Sequence, residues 1–280
     1  MKTSREMRET AWRLAVKEHR FSRIFWAGFA LTLLMFAGVL GVAILFENFG
    51  VQTWDTFNQA RLEAQAEGLN FVPPNRAAML SYTYGSLFQY FVQILLSGIM
   101  AMGLSAVALS AVDRQAEVAG KAFVGLKYPL GCASLQFLMT IRIWLWTLLF
   151  VIPGFIAYYR YRQAWYLKTE HPEWGAWRCL KESGRLMRGN KWRMFCFDCS
   201  YWLSFLGPLV LFFVGELVMI ASFNSEGSAA VAIYGAVASV ALLVATVAMI
   251  FVAVYILVGH AVFYRELNAL EEKKDDAFNR

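Results

Sequence analysis

Residues 229–259 read AAVAIYGAVASVALLVATVAMIFVAVYILVG, a run of 31 positions without one charged side chain. About 20 apolar residues, each rising ~1.5 Å, cross the hydrocarbon core of a bilayer, so a run this long reads as a transmembrane helix. Two further runs repeat the pattern: Ile24–Phe46 is uncharged over 23 residues and Tyr82–Val112 over 31. The whole chain agrees, with 59% hydrophobic residues, 16% charged residues and a mean hydropathy of +0.46. A soluble domain has about 45–50% and about 25%. The fold class this predicts is all-α: a polytopic transmembrane bundle of five to six membrane helices, with amphipathic helices at its interface. The first run is too long for the core of a signal peptide, and no small-x-small site precedes Glu47, so it is expected to stay as a span.

The positive charges give the orientation. Lys2, Arg5, Arg8, Arg13, Lys17, Arg20 and Arg23 precede the first run, whereas the loop from Glu47 to Ser81 holds only Arg61 and Arg76. Arg114, Lys121 and Lys127 follow the second run, nine basic residues lie between Arg160 and Arg193, and Phe223–Ser228 has none. Basic segments stay in the cytoplasm, which predicts both termini inside. Between Lys127 and Arg160 the chain must then cross an even number of times. One full span and a shorter return, broken at Pro153 and Gly154, meet this condition; a single crossing is the alternative. The expected spans are 24–46, 82–112, 129–152, a short return at 155–167, 194–222 and 229–259. They form one domain, 24–267, between an amphipathic helix at 1–23 and a charged tail at 268–280.

Two segments look interfacial. Thr3 and Glu6 have capping-box spacing. Met7, Ala11, Trp12, Ala15 and His19 then recur at helical intervals opposite Arg8, Arg13 and Lys17. The second segment, 172–189, opens with Pro172 in a first-turn position and places Trp174, Trp177, Leu180, Gly184 and Met187 on one stripe. Trp12, Trp177, Arg185, Arg188, Lys191, Trp192 and Arg193 are the expected headgroup anchors, each basic residue contributing ~1 kcal/mol near anionic lipid. The adjacent spans make lipid the expected anion, and nucleic acid is not an expected partner. Outside the membrane, DTFNQARLEAQAEG (55–68) reads as a short helix before a Pro73-Pro74 turn.

Polar residues inside apolar runs are the candidates for function. Arg142 sits mid-run, and Asp198 lies about one turn into its run. Glu216 is 18 residues beyond Asp198, ~27 Å along a helix, so the two acids cannot share a site. Arg142 is expected to pair with one acid or to line a binding or conduction path. Asp198 is expected to bond to the Pro-Gly hairpin, to pair with Arg193, or to line a polar path. Cys196 and Cys199 have the spacing of a redox or zinc half-site. They lack the second ligand pair that zinc needs and the exposed helix N-terminus that a redox thiol needs. With no catalytic motif either, no metal, cofactor or enzymatic activity is expected. Ser97, Ala101 and Ser105, and Gly235 with Ser239, have small-xxx-small spacing that permits close helix contact.

The second half carries a resemblance. Trp146, then Ile152-Pro153-Gly154, Tyr158, Ser183, Met187, Gly189-Asn190-Lys191-Trp192, Phe195, Asp198, Ser200, Trp202 and a closing Phe263-Tyr264 follow a recurring pattern. It resembles a bacterial membrane family called domain of unknown function 975. The resemblance is clear from Leu145 to Leu267 and is one of pattern only before that; the link after Trp202 is longer here. It implies a six-helix-like protein of the bacterial cytoplasmic membrane and supplies no reaction. The first functional reading is a non-catalytic membrane interaction or assembly protein with a basic, lipid-contacting cytoplasmic face and a membrane protein or a second copy as partner. The alternative is a transporter, channel or lipid-handling protein using Arg142, Asp198 and Glu216.

Overall fold

The computed structural model describes residues 3–14, 21–48, 54–68, 76–115, 120–223 and 228–278. Ala15, His19 and the Pro73-Pro74 turn lie outside these described residues. The chain is all-α: α1 (Ser4–Trp12), α2 (Phe21–Asn48), α3 (Trp54–Ala66), α4 (Arg76–Val112), a 3-10 turn at Gly120–Lys127, α5 (Pro129–Leu149), α6 (Val151–Tyr161), α7 (Ala164–Glu170), α8 (Ala176–Leu186), α9 (Lys191–Phe223) and α10 (Ser228–Phe278).

Among the described residues, three helices are long and apolar enough to cross a membrane: Met79–Val112, Pro129–Leu149 and Ile233–Lys274. A fourth is reached if the bent pair Lys191–Tyr201 and Ser204–Ile220 counts as one span. This is fewer than the five to six expected. The shortfall falls partly at the return 155–167, which is divided between α6 and α7, neither able to reach across ~30 Å. The two parts are bent by 47°, and the second holds Pro208, which lacks the N–H that would bond the Ser204 carbonyl.

Four helices change character along their length. On α4, Tyr84, Leu87, Phe88 and Tyr90 are more than half exposed, while Met102, Val107 and Ala111 are fully buried. On α10, Val240, Leu243 and Val247 are exposed, while Val258, Ala261 and Phe263 are buried. On α9, Leu206, Phe213 and Leu217 are exposed, while Met194 and Phe197 are buried; α2 does the same between Leu40 and Ile24. One half of the bundle therefore offers apolar side chains outward, a surface that water does not tolerate over this extent and lipid does. The other half buries its side chains in a continuous core. Its largest cluster joins Met7, Ala11 and Leu14 to Ile24, Val107, Met194, Phe197, Val258 and Phe263.

That packing corrects the role of α1. Its capping box forms, with the Glu6 N–H donating to Thr3 Oγ1 at 3.3 Å and the Thr3 N–H to Glu6 Oε2 at 2.8 Å. Its apolar face meets protein: Met7 and Ala11 are fully buried, and Trp12 stands edge-on to Phe251 and Tyr255. Arg8 donates to the Ser200 carbonyl at 3.0 Å, which fastens α1 to α9. At the other end, α10 runs unbroken to Phe278, and Glu271 pairs with Arg185 of α8 at 3.1 Å, so 268–280 does not form a separate tail as far as Phe278.

Close contacts fall at glycines other than those in the small-xxx-small pairs. A Cβ on Gly103 would stand 2.2 Å from the Ala122 carbonyl oxygen, and one on Gly125 would stand 2.4 Å from that of Ile99. The 3-10 turn thus lies directly on the α4 backbone. Among the described residues, nothing lies within 4 Å of a Cβ placed on Gly235.

Candidate functional site

Arg142 forms no ion pair with either acid. Its guanidinium lies 3.9 Å over the Trp177 ring and 5.6 Å from the Tyr161 ring centre. Glu216 is half-buried and has no ion pair among the described residues. The reason is the break between α5 and α6. It falls at Phe150, whose backbone is extended (φ −161°, ψ 152°), and not at Pro153-Gly154. Pro153 sits in the first turn of α6, where no N–H is required. Gly154 lets α6 fold back: a Cβ there would be 2.3 Å from Thr147 Oγ1. The return brings Tyr161 to Arg142 and carries the end of α6 to Asp198.

Arg162 caps the C-terminus of α6. Its Nη2 lies 3.0 Å from His260 Nδ1, and His260 Nε2 lies 2.7 Å from Asp198 Oδ1. An imidazole carrying its proton on Nε2 donates to the carboxylate and accepts from the guanidinium, so both bonds are satisfied at once. A positive and a negative charge are thereby joined through a neutral ring. The side chain of His260 is 7% exposed and that of Asp198 19%. Tyr159 stands beside the same carboxylate, and the Tyr158 ring lies 5.0 Å from the Arg162 guanidinium.

Two cavities meet at this row. One, of about 310 Å3, has Arg162, Asp198, His260 and Tyr201 in its wall and continues along α9 past Phe205, Leu206 and Leu209. The other, of about 250 Å3, is bounded by Ser105, Tyr158 and Tyr166 and shares Arg162 and His260 with the first. The Tyr201 hydroxyl is buried in the wall of the first cavity, and the Tyr201 ring lies 4.9 Å from that of Tyr255. The arrangement offers a donor and an acceptor at one end and hydrocarbon walls at the other.

Below the row the packing is held by other polar contacts. Arg265 donates to Asp113 at 2.8 Å and also pairs with Glu170, which accepts from the Tyr264 hydroxyl. The buried Lys168 donates to the carbonyls of Pro172 (2.8 Å) and Trp174 (2.7 Å). Pro172 therefore precedes α8, whose first residue is Ala176. The α8 stripe is also rotated from expectation. Ala176, Cys179, Leu180, Ser183 and Leu186 face inward, and Trp177 is 62% exposed under Arg142. Ser183 fixes this face by donating to the Arg160 carbonyl at 2.8 Å. The turn after α8 is at Gly189 (φ +81°), as the Gly-Asn pair predicts.

Of the expected anchors, Arg185, Arg188 and Trp192 are exposed and Lys191 and Arg193 are half-exposed; Arg185 is tied to Glu182 and Glu271. Cys196 and Cys199 are both exposed and unbonded, and among the described residues no group of three or more His, Cys, Asp or Glu could hold a metal. Sequence reading found Asp198 and missed His260 and Arg162. The signal for His260 was present, since it directly follows a run of 31 uncharged residues, and a polar residue there needs a partner.

These features define an all-helical, largely apolar protein of membrane type, with a row of polar side chains where its exposed and packed halves meet. A protein-family model described as protein of unknown function (DUF975) matches residues 133–271, just under half the chain and including all three members of the row. No curated protein and no solved structure matches.

Proposed function

We propose that the chain is a DUF975-type integral protein of the bacterial cytoplasmic membrane, with both termini inside, that binds an amphiphile. The outward-facing apolar halves of α2, α4, α9 and α10 sit in the bilayer, and the packed half, with its basic α8 face, sits at and below the cytoplasmic headgroups. The observation that carries the reading is the 310 Å3 cavity, which opens from Arg162, Asp198 and His260 onto Phe205, Leu206 and Leu209. A ligand with a small polar head and a hydrocarbon tail fits that gradient: the head reaches the Tyr201 hydroxyl and the tail follows α9 outward. In this reading the protein acts as a binding or lipid-handling component and not as an enzyme.

Native mass spectrometry of the gently extracted protein tests this. The wild type should retain an adduct of lipid mass, and Leu209→Trp, which fills the apolar end, should lose it while keeping its helical content. A wild type without an adduct, or a variant that retains it equally, overturns the reading.

A further inference from the structure

The hairpin of α5 and α6 is apolar and outward-facing over its far part. Its first turns lie against α4 at Gly98, where a Cβ would be 2.8 Å from the Cys132 carbonyl oxygen and 3.3 Å from Gln136 Cβ. Cys132 Sγ is 3.2 Å from Met102 Sδ. Seven residues later, after ~10 Å of helix, Met139 lines a cavity with Ala101, Leu104 and Ser105. α5 thus meets α4 at Gly98 and Met102, where the exposed half of α4 gives way to its packed half.

The far part of the hairpin, Ile143–Tyr159, has no charge. Arg142 and Arg160 stand together at its base, 5.6 Å and 5.7 Å from the centre of the same Tyr161 ring. Beyond them Leu148 is 81% exposed, Ile152 74% and Trp144 69%. α5 as a whole is long and apolar enough to cross, but its part beyond Arg142 reaches only ~10 Å to the break and all of α6 is ~16 Å, against ~30 Å for a hydrocarbon core. The one non-helical residue, Phe150, has its N–H bonded to the Trp146 carbonyl at 3.2 Å, and its own carbonyl accepts from the Gly154 N–H at 3.3 Å.

We propose that α5 and α6 form a monotopic hairpin, inserted from the cytoplasmic side among the acyl chains of the inner leaflet and crossing nothing. This placement rests on the orientation in the proposed function. The arginine collar with Trp177 sits at the headgroups, and α8, bonded to the hairpin through Ser183 and Arg160, lies beside it with Arg178, Lys181 and Arg188 exposed to anionic lipid. Zero crossings is an even number, so the charge distribution is met without the second span that α6 is too short to supply. The hairpin is a lateral anchor that grips one leaflet.

The test is site-directed labelling in membranes, with the exposed thiols replaced (Cys196→Ser, Cys199→Ser) and single cysteines placed at Leu148, Ile152 or Lys181. All three side chains are exposed, so packing is spared, and each of the two tip positions checks the other. Leu148→Cys and Ile152→Cys should resist an impermeant maleimide from both sides, and a nitroxide there should report a depth within the inner leaflet. Lys181→Cys should label from the cytoplasmic side alone. Labelling of the tip from the outer side, or a nitroxide beyond the mid-plane, overturns the proposal in favour of a crossing hairpin. Labelling of the tip from the cytoplasm overturns it in favour of a tip outside the lipid. Outer labelling of Lys181→Cys would instead refute the orientation, and amphiphile loss is read independently by mass spectrometry.

Discussion

His260 on α10 holds Asp198 on α9 at 2.7 Å, across 62 positions of sequence, and presents its other ring nitrogen to Arg162. Each bond involves a charged partner, a class of contact worth about 1.5–3 kcal/mol. His260→Ala and Asp198→Ala should each lower stability by about that amount in detergent unfolding, and the double variant by at least about 1 kcal/mol less than the sum. Additivity within about 0.5 kcal/mol would mean that the two side chains do not act together.

Gly154 should not tolerate a side chain. A Cβ there meets Thr147 Oγ1 at 2.3 Å and Thr147 Cα at 2.9 Å, so Gly154→Ala forces α5 and α6 apart at a cost of about 1–3 kcal/mol. Thr147→Ala restores only part of this, because the backbone contact remains. Gly235→Ala is the contrast: it has open space and lies in a helix, so it should be neutral or stabilising by up to about 1 kcal/mol. Thermal midpoints of the three variants measure the difference.

Lys168 acts as an internal clamp on the turn before α8. Its ammonium satisfies two carbonyls, so Lys168→Met keeps the bulk, strands both acceptors and should cost about 1–3 kcal/mol. Hydrogen exchange should rise first in residues 171–176. Unchanged protection there would show that the clamp carries nothing.

The four thiols should divide into two pairs. Cys132 and Cys179 are buried, and burial pushes the Cys179 thiol above its ordinary value. Water-soluble thiol reagents should therefore miss both until the protein unfolds, while Cys196 and Cys199 react in the folded state. An unfolded thiol ionises near pH ~8.5 and the folded Cys179 does so later, which sets the sign for stability. Its contribution is complete below that range and is lost as pH rises through it. Titration with and without denaturant counts the pairs.

The helical membrane class was legible in the uncharged runs, because the thickness of a bilayer fixes how many apolar residues a span needs. The capping box at Thr3, the short helix at 54–66 and the turn at Gly189 were legible too, since backbone chemistry within a few residues decides them. Asp198 was visible as a polar residue in an apolar run. Its partners were not, because His260 and Arg162 reach it only through the folding back of α6 and the crossing of α10, contacts that no local spacing encodes. The same limit misplaced the apolar face of α1. An amphipathic stripe specifies that one side must leave water, and only the assembled helices decided whether protein or lipid would cover it.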